Sequence, residues 1–405
     1  MANIREAVIV EAVRTPTGKS SWKGLEKCGP MGHLSAIELA SLPVKELIKR
    51  TGVDTHEIED NVWGCLSQVG EQGFNLGRIV LYEAGFHNEA VGSTINRYCG
   101  SGLQAINFAA QEVMTGECDL VIAGGSESMS RYPMGTDAQA AAKGGYTLVI
   151  PEAVQSKGLI PMGLAADMLA QKYGFTRDMC DDFGLLSQQK AARAWREGRY
   201  DSQVFPVTVK KDGQEFTITK DETVRDEALD DPDSALKKTK ELKFSFSMNG
   251  PHTPGNSSQI VDGAAAVMIT TPEKAEKLGL KPKARIVSFG LAGTDPVLML
   301  MGPAPSMKNA LKKTGLSIDD MDFIEINEAF ASPILYACKE LGIDWKDPRL
   351  NANGGAIAHG HPIGATGAIL LTKCVHELQR TKKKYAIISL CMGGGMGIAT
   401  IIERI

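Results

Sequence analysis

The sequence predicts an α/β fold built from two copies of a strand–helix–strand unit. Apolar, strand-like runs alternate with helical periodicities, which is the pattern of mixed sheets whose faces are covered by helices. The same order occurs twice: a strand, a glycine-rich turn that opens a helix, and a second strand. The chain has 405 residues, which exceeds the usual size of one hydrophobic core and predicts at least two domains.

The first copy can be followed element by element. A strand is predicted over residues 61–64, and a glycine-rich turn at residues 100–102 opens a helix. Apolar side chains recur on one face of that helix, and Gly116 marks its end. A continuous apolar run over residues 119–125 predicts the second strand.

The second copy repeats these elements further along the chain. Its first strand is predicted over residues 323–327, its glycine-rich turn over residues 364–367 and its second strand over residues 385–389. The separation between matched points is nearly constant, which favours a duplicated unit over a short-period solenoid. Any two α/β segments align loosely, but the glycine pattern before each helix favours duplication.

The middle of the chain, residues 129–260, breaks this pattern. It contains helix-like stretches at residues 163–172 and 178–197 and a charged segment at residues 207–244. By itself this composition is typical of a solvated insertion. The core pattern resumes at residues 262–269, so the sequence predicts that the middle part is inserted into the first half.

Composition excludes several function classes. A formal charge of -4 gives no reason to expect nucleic acid or a membrane surface as a partner. Hydrophobic residues make up 43% and charged residues 23%, which is ordinary for a globular protein. No apolar run approaches the ~20 residues that a membrane span needs. Neither zinc-ligand spacing nor a phosphate-binding glycine motif is present, so we expect no metal.

The cysteines and the two ends of the sequence indicate the cellular compartment. The eight cysteines are scattered without Cys-x-x-Cys pairs, which favours reduced thiols in a cytoplasm over a disulfide framework. A strand is predicted within a few residues of the N-terminus, so we expect no signal or transit peptide. Residues 403–405 do not form a peroxisomal tripeptide. The sequence therefore predicts a cytoplasmic protein.

One cysteine has a position suited to chemistry. Cys99 stands between a strand-like run at residues 91–96 and the helix that follows. The positive end of a helix dipole and its unpaired N–H groups both favour a thiolate, which is the nucleophilic form. The alternative is a small buried hydrophobe at a strand–helix junction, which is the commoner fate of an isolated cysteine.

Three further motifs make the catalytic interpretation stronger. They are glycine-rich residues 354–367, which contain His361, residues 389–397, which contain Cys391, and residues 327–331. An imidazole can activate a thiol, and glycine-rich turns can supply fixed N–H donors for an oxyanion. A second thiol can carry a proton to or from carbon or sulfur. Together they predict acyl transfer through a thioester.

These four motifs, in this order and spacing, resemble those of the thiolase family, and the resemblance covers essentially the whole chain. It implies two halves packed as five αβαβα layers with an inserted loop domain. The N-terminal half would comprise residues 1–128 and 261–283, the loop domain residues 129–260, and the C-terminal half residues 284–405. The loop domain would cover coenzyme A and help to form a tetramer.

The resemblance also implies roles in catalysis. Cys99 would be the acylated nucleophile, His361 would activate it, and Cys391 would be the general acid and base. The backbone N–H groups of Cys99 and Gly393 would form one oxyanion hole. Asn327 would hold a water that assists His361 in the other.

Two of these positions have alternatives. His359 lies two residues before His361 and competes for the role of base, but the family varies at that position. Proline and glycine flank His361, which favours a turn that displays the side chain rather than burying it. Asn327 could instead cap the helix that follows it, and both roles can hold together.

Contacts to coenzyme A follow from the resemblance as well. The loop at residues 255–258 would lie along the pantetheine arm, and Arg225 would bind the adenine or phosphate end unless it is an ordinary surface arginine. Apolar contacts to the pantetheine are implied for three further side chains, which could equally be simple packing. The full set of implied substrate contacts is Ser258, Arg225, Met162, Phe246, Gly255 and Phe330.

The sequence therefore predicts a thiolase-like acyltransferase with coenzyme A thioesters as substrates, no metal or redox cofactor, and a homotetramer made of two dimers. A decarboxylating ketosynthase of the same fold is a rival, but such enzymes pair the cysteine with two histidines. A catalytically silent lipid-binding or scaffold protein is another, and the retention of Cys99, His361 and Cys391 argues against it. The sequence leaves acyl chain length, direction and pathway open.

Overall fold

The computed structural model describes residues 4–145 and 151–405. Residues 1–3 of the predicted N-terminal half and residues 146–150 of the predicted loop domain lie outside the described residues. The strands of the described chain are β1 (Val8–Arg14), β2 (Gly18–Lys19), β3 (Asp60–Gly64), β4 (Ser93–Ile95), β5 (Leu120–Glu127), β6 (Val207–Lys211), β7 (Gln214–Ile218), β8 (Val261–Thr270), β9 (Ala284–Gly293), β10 (Phe323–Ile326), β11 (Tyr385–Met392) and β12 (Met396–Arg404).

Helices connect and cover these strands. They are α1 (Ala36–Thr51), α2 (Leu76–Glu83), α3 (Ser101–Thr115), α4 (Thr136–Lys143), α5 (Glu152–Gln155), α6 (Met162–Tyr173), α7 (Arg177–Arg196), α8 (Glu227–Asp230), α9 (Pro232–Lys240), α10 (Pro272–Lys277), α11 (Pro303–Lys312), α12 (Ala331–Leu341), α13 (Ala356–His359) and α14 (Ile363–Thr381). Among the helices of the described chain, none combines the length and the apolar character that crossing a bilayer requires.

The sheet order confirms the predicted duplication. The main sheet runs β4-β3-β5-β8-β1-β9-β12-β11-β10, and β2 adds to β8. In the first half β3 and β5 are parallel, and β8 lies antiparallel between β5 and β1. In the second half β10 and β11 are parallel, and β12 lies antiparallel between β11 and β9. The halves thus repeat one strand order and meet edge to edge through the pairing of β1 with β9.

Five layers follow from how the helices cover this sheet. Helices α1 and α2 pack on the outer face of the first half, and α11 and α12 pack on the outer face of the second. Helices α3 and α14 lie between the halves, in one apolar cluster with strands of both. The predicted α/β class with αβαβα layers is confirmed, while the domain boundaries given above remain a prediction.

Glycines allow the two central helices to cross with their backbones in close approach. A Cβ atom on Gly102 would lie 2.7 Å from the carbonyl oxygen of Gly364, and one on Gly367 would overlap the backbone of Leu103. Only glycine tolerates such an approach without displacing backbone. Because these contacts lie in the first two turns of α3 and α14, the N-terminal ends of the two helices meet between the halves.

Local signals predicted α3 well and β4 less well. Helix α3 ends where Gly116 adopts a left-handed φ of 85°, as the sequence predicts. The strand expected over residues 91–96 is shorter in the structure, because its pairing with β3 ends at Ile95. Asn96 then turns away, and its side chain donates to the carbonyl of Leu66 at 3.1 Å.

The inserted middle part is anchored to the core rather than merely solvated. Its charged segment begins with the hairpin of β6 and β7, which buries Val207, Val209 and Ile218 in the first half's outer apolar cluster. A fully buried ion pair joins Arg14 of β1 to Asp221, which follows this hairpin. The insertion is therefore anchored to the first half.

Candidate active site

A strained turn carries Cys99. Tyr98 has a φ of 49°, which is unusual for a residue with a side chain and marks a backbone held by its surroundings. The hydroxyl of Ser101 fixes the turn, because it donates to the carbonyl of Tyr98 at 2.6 Å and accepts from the N–H of Arg97 at 2.9 Å. Cys99 is thereby placed just before α3, with 3% of its surface exposed.

His361 lies just before α14 and is held from both sides of its ring. Its Nδ1 lies 2.6 Å from the hydroxyl of Thr366, which donates to the carbonyl of Pro362 at 2.9 Å. With its hydrogen on Pro362, that hydroxyl accepts the hydrogen of Nδ1 and leaves a lone pair on Nε2. The amide nitrogen of Asn327 lies 3.4 Å from Nε2 and donates toward it.

The expectation that the turn displays His361 is wrong. The residue is 7% exposed, because α14 and the loop at Gln259 enclose it, and its N–H donates to the carbonyl of Gln259 at 3.0 Å. Burial lowers the pKa of His361 to about 4, because an imidazolium loses its hydration there. At neutral pH the ring is uncharged and can accept a proton through Nε2.

Cys391 is the penultimate residue of strand β11 and lies beside the turn of Cys99. A Cβ atom on Gly100 would overlap the sulfur of Met392, and one on Gly393 would lie 3.3 Å from the ring of Tyr98. The turn after Cys391 therefore lies directly on the turn that carries Cys99. Cys391 is completely buried among apolar side chains that include Met299.

Asn327 follows β10, where its N–H donates to the carbonyl of Ser389 at 2.9 Å. It does not cap the next helix, because that role falls to Phe330. Its side-chain oxygen is buried and has no hydrogen-bond partner in the described part of the chain. The carboxamide thus turns its nitrogen toward His361 and retains an open acceptor.

Burial raises the pKa values of both thiols. It raises the pKa of Cys99 to about 12, and the nearby carboxylate of Glu127 acts in the same direction. Burial also raises the pKa of Cys391, and Cys99 adds to this effect. Burial thus acts against the Cys99 thiolate that the start of α3 is expected to favour, and a pKa of about 12 corresponds to a thiol at neutral pH.

His359, the competing base, makes other contacts. It is fully buried, its Nδ1 donates to the carbonyl of Gly360 at 2.9 Å, and its own carbonyl accepts from the hydroxyl of Thr17. Burial lowers its pKa well below the ordinary value. These contacts hold the turn between α13 and α14 and include neither thiol.

Comparison with known proteins identifies this arrangement. The model of the thiolase N-terminal domain matches residues 7–273, and the model of the thiolase C-terminal domain matches residues 280–404. The chain belongs to the thiolase family. It is accordingly an acyltransferase.

Individual thiolases and related enzymes align along their whole length. A 3-oxoadipyl-CoA/3-oxo-5,6-dehydrosuberyl-CoA thiolase of Escherichia coli K12 is 41% identical, with 99% of this chain and 100% of that protein covered. An acetyl-CoA acetyltransferase of Syntrophomonas wolfei is 37% identical with the same coverage. The crystal structure of human mitochondrial 3-ketoacyl-CoA thiolase matches with a TM-score of 0.88 and 34% identity, covering 100% of both chains.

Three of the apolar residues implied to contact coenzyme A in this thiolase form one cluster. The rings of Phe246 and Phe330 meet edge to face with centroids 5.5 Å apart. Gly163, next to Met162, lies so close to the ring of Phe246 that a Cβ atom would overlap it. The N–H of Ser258 donates to the carbonyl of Ala329 at 3.0 Å, which joins the predicted pantetheine loop to the loop that bears Asn327.

The remaining two implied contacts share a cavity. Arg225 and Gly255 line one surface cavity together with Gln188 and Lys238. The side-chain oxygen of Gln188 accepts the N–H of Arg225 at 2.9 Å, which fixes the backbone there. The cavity is also bordered by Glu227, whose carboxylate pairs with Lys238.

Sequence reasoning missed two residues that organise the site. Thr366 holds Nδ1 of His361. The buried carboxylate of Glu127 accepts the N–H groups of Leu66, Ser67 and Gly364 and so ties α14 to the first half. Glu127 could have been identified as a candidate site residue, because it is the one charged residue at the end of the apolar run of β5. No local sequence feature marks Thr366 as the partner of His361.

Proposed function

We propose that this thiolase transfers acyl groups between coenzyme A thioesters by a ping-pong mechanism through an acylated Cys99. The observation that carries the proposal is the state of His361: a neutral ring, with Nδ1 held by Thr366 and Nε2 facing Asn327. A base in this state can take the proton of a thiol without a prior ion pair. The turns of Cys99 and Cys391 lie against each other, and Cys99 packs in one cluster with Ile363, two residues after His361.

In the first half-reaction Cys99 attacks the carbonyl carbon of the acyl donor while its proton moves to Nε2 of His361. The carbonyl oxygen becomes an oxyanion, for which the backbone N–H groups of Cys99 and Gly393 are fixed donors. Collapse of this intermediate breaks the bond to the leaving group. Cys391 supplies the proton that the leaving thiolate or carbanion needs.

In the second half-reaction another coenzyme A species accepts the acyl group. In thiolysis its thiol gives its proton to the Cys391 thiolate and attacks the acyl-enzyme, which breaks the bond to Cys99, and Cys99 regains its proton from His361. In condensation the thiol of Cys391, once deprotonated, removes an α-proton from acetyl-CoA, and the carbanion attacks the acyl-enzyme. Asn327 and His361 then stabilise the second oxyanion, and the open acceptor of Asn327 is suited to a bound water.

The substrates we propose are 3-ketoacyl-CoA with free coenzyme A, or acetyl-CoA with a second acyl-CoA. The relatives support this range, because their names include a 3-oxoadipyl-CoA thiolase, 3-ketoacyl-CoA thiolases and an acetyl-CoA acetyltransferase. Coenzyme A is a substrate here, and the mechanism requires no metal or redox cofactor. The direction follows from metabolite concentrations, since one site serves both directions.

Cleavage of acetoacetyl-CoA and of a longer 3-ketoacyl-CoA by free coenzyme A tests the proposal, with Cys99→Ala as the control. Activity on both that is abolished in Cys99→Ala supports a broad-range degradative enzyme. Activity on acetoacetyl-CoA alone supports a short-chain acetyltransferase. Wild-type protein that cleaves neither would exclude this mechanism for these substrates.

We further propose a homotetramer, built from two dimers, in the cytoplasm. Tyr98 and Leu291 are large apolar residues that are 47% and 49% exposed beside the active-site turn, which supports coverage by another subunit. All eight cysteines are free, which supports a reducing compartment. Light scattering of the purified protein and fractionation of cells test the two statements separately.

A further inference from the structure

Two histidines and a glutamate come together on the surface of the first half. His56 lies in the turn between α1 and β3, and His87 and Glu89 lie in the loop between α2 and β4. One nitrogen of each ring and one oxygen of the carboxylate all lie within 4.8 Å of one another. Imidazole nitrogen and carboxylate oxygen are ligands that zinc and its neighbouring transition metals use in proteins.

His87 is held in a tautomer that suits a metal ligand. Its Nε2 lies 2.9 Å from the carbonyl oxygen of Thr55 and donates to it, so Nδ1 carries the lone pair. The N–H of Glu89 donates to Nδ1 at 3.1 Å, in agreement with this assignment. A metal-bound histidine commonly donates its other ring N–H to a backbone carbonyl, which fixes the orientation of the ring. With 14% of its side chain exposed, His87 is the fixed member of the group.

The carboxylate of Glu89 lies close to both rings. Its Oε2 is 3.4 Å from Nδ1 of His87 and 3.7 Å from Nδ1 of His56. The lone pair of His87 and a carboxylate oxygen are both acceptors, so they repel each other unless a proton or a metal ion lies between them. The arrangement therefore favours a bound cation.

His56 and Glu89 can adjust to such an ion. The rings of His56 and His87 stack 4.1 Å apart and 8° from parallel, so the lone pairs in their planes do not converge on one point. Binding requires the His56 ring to turn out of this stack. Its side chain is 63% exposed and that of Glu89 is 84% exposed, which leaves both able to rotate. The N–H of Glu89, also exposed, then bonds to water instead of Nδ1.

We propose that His56, His87 and Glu89 bind one divalent transition-metal ion of the Zn²⁺ type, with water completing its coordination. The site precedes β3, whereas Gly64 at the other end of β3 lies against Gly102 in the first turn of α3. The ion would therefore be structural and would join the turn before β3 to the loop before β4. No zinc-ligand spacing marks the site, because its ligands come from two separate segments.

Titration of the metal-free protein with Zn²⁺, in competition with a chromophoric chelator, tests the proposal. We expect His56→Ala and Glu89→Gln each to weaken binding at this site at least about tenfold. Glu83→Gln is the matched control, because Glu83 is a partly exposed carboxylate on α2 that pairs with Lys45. It should leave the affinity unchanged. Equal affinities of the wild type and the two site variants would overturn the proposal, as would a wild type that does not bind Zn²⁺.

Co²⁺ separates this site from the cysteines, which also bind transition metals. Thiolate ligands give Co²⁺ an intense charge-transfer absorption, whereas nitrogen and oxygen ligands do not. We expect one Co²⁺ to bind the wild type without that absorption, and this binding to be weakened in His56→Ala. Cobalt bound only through thiolate would contradict the proposal. Zn²⁺ should also raise the Tm of the wild type more than that of Glu89→Gln, a readout that does not depend on the proposed activity.

Discussion

The hydroxyl of Thr366 lies 2.6 Å from Nδ1 of His361, on the side of the ring opposite to Asn327. Because this hydroxyl already donates to the carbonyl of Pro362, it acts as an acceptor for the imidazole. It therefore selects the tautomer whose Nε2 carries the lone pair, toward which Asn327 donates. The relationship connects a residue within the first turn of α14 to the proposed activation of Cys99.

Thr366→Val removes that acceptor at nearly constant volume. We expect kcat for thiolysis to fall about 10- to 100-fold with little change in KM, because the ring loses its preferred tautomer while the substrate contacts remain. Steady-state kinetics with acetoacetyl-CoA measure both constants. Thr366→Ser retains a hydroxyl and should recover most of kcat; failure of this rescue would show that Thr366 acts only through packing.

The second prediction concerns how the rate of Cys99 acylation falls at low pH. Burial lowers the pKa of His361 to about 4, so the ring stays neutral until the pH approaches that value. We expect the rate at which acetyl-CoA acylates Cys99 to be level between about pH 5.5 and 7.5 and to be halved near pH 4. Rapid mixing followed by mass spectrometry measures this rate, and return to pH 7 checks that the loss is reversible. A midpoint near pH 6.5 would mean that His361 is not buried in this way.

The third prediction concerns the unliganded nucleophile. Burial and Glu127 raise the pKa of Cys99 to about 12, and only the thiolate reacts with iodoacetamide. The thiolate fraction, and with it the alkylation rate of Cys99, should therefore rise about tenfold per pH unit from pH 7 to 9. Peptide mass spectrometry separates Cys99 from the other seven cysteines. A plateau near neutral pH would instead demonstrate a thiolate stabilised by the start of α3.

The fourth prediction concerns the anchor between the insertion and the core. Although burial opposes ionisation, Arg14 lowers the pKa of Asp221, and two oxygens of this carboxylate bind the guanidinium at 2.8 and 3.0 Å. Asp221→Asn leaves Arg14 as a buried charge without a full partner. We expect the free energy of unfolding to fall by about 3–5 kcal/mol, measured by urea denaturation.

Asp226→Asn is the matched control for this measurement. Asp226 pairs with Lys220 at 2.7 Å, but about half of its side chain is exposed to solvent. Water screens such a pair, so the control should change the free energy of unfolding by less than about 1 kcal/mol. Equal effects of the two substitutions would show that burial does not govern the strength of these ion pairs.

The sequence by itself determined the elements and the reactive groups. Helical periodicity and Gly116 defined α3, and the repeated glycine turns before α3 and α14 revealed the duplication that the sheet order shows. These features are local, since periodicity and left-handed glycines depend on a few neighbouring residues. The four motifs likewise pointed to Cys99, His361 and Cys391 without knowledge of their positions in space.

Only the tertiary structure decided the protonation states of those groups. Whether Cys99 is a thiol or a thiolate depends on how completely other segments exclude water from it, and the sequence-based argument considered only the adjoining helix. The tautomer of His361 depends on the hydroxyl of Thr366 in the following helix. Asn327, which contacts the other ring nitrogen, is 34 residues away in the sequence. Burial and long-range hydrogen bonds arise from the packing of the two halves. They therefore cannot be predicted from a local sequence pattern.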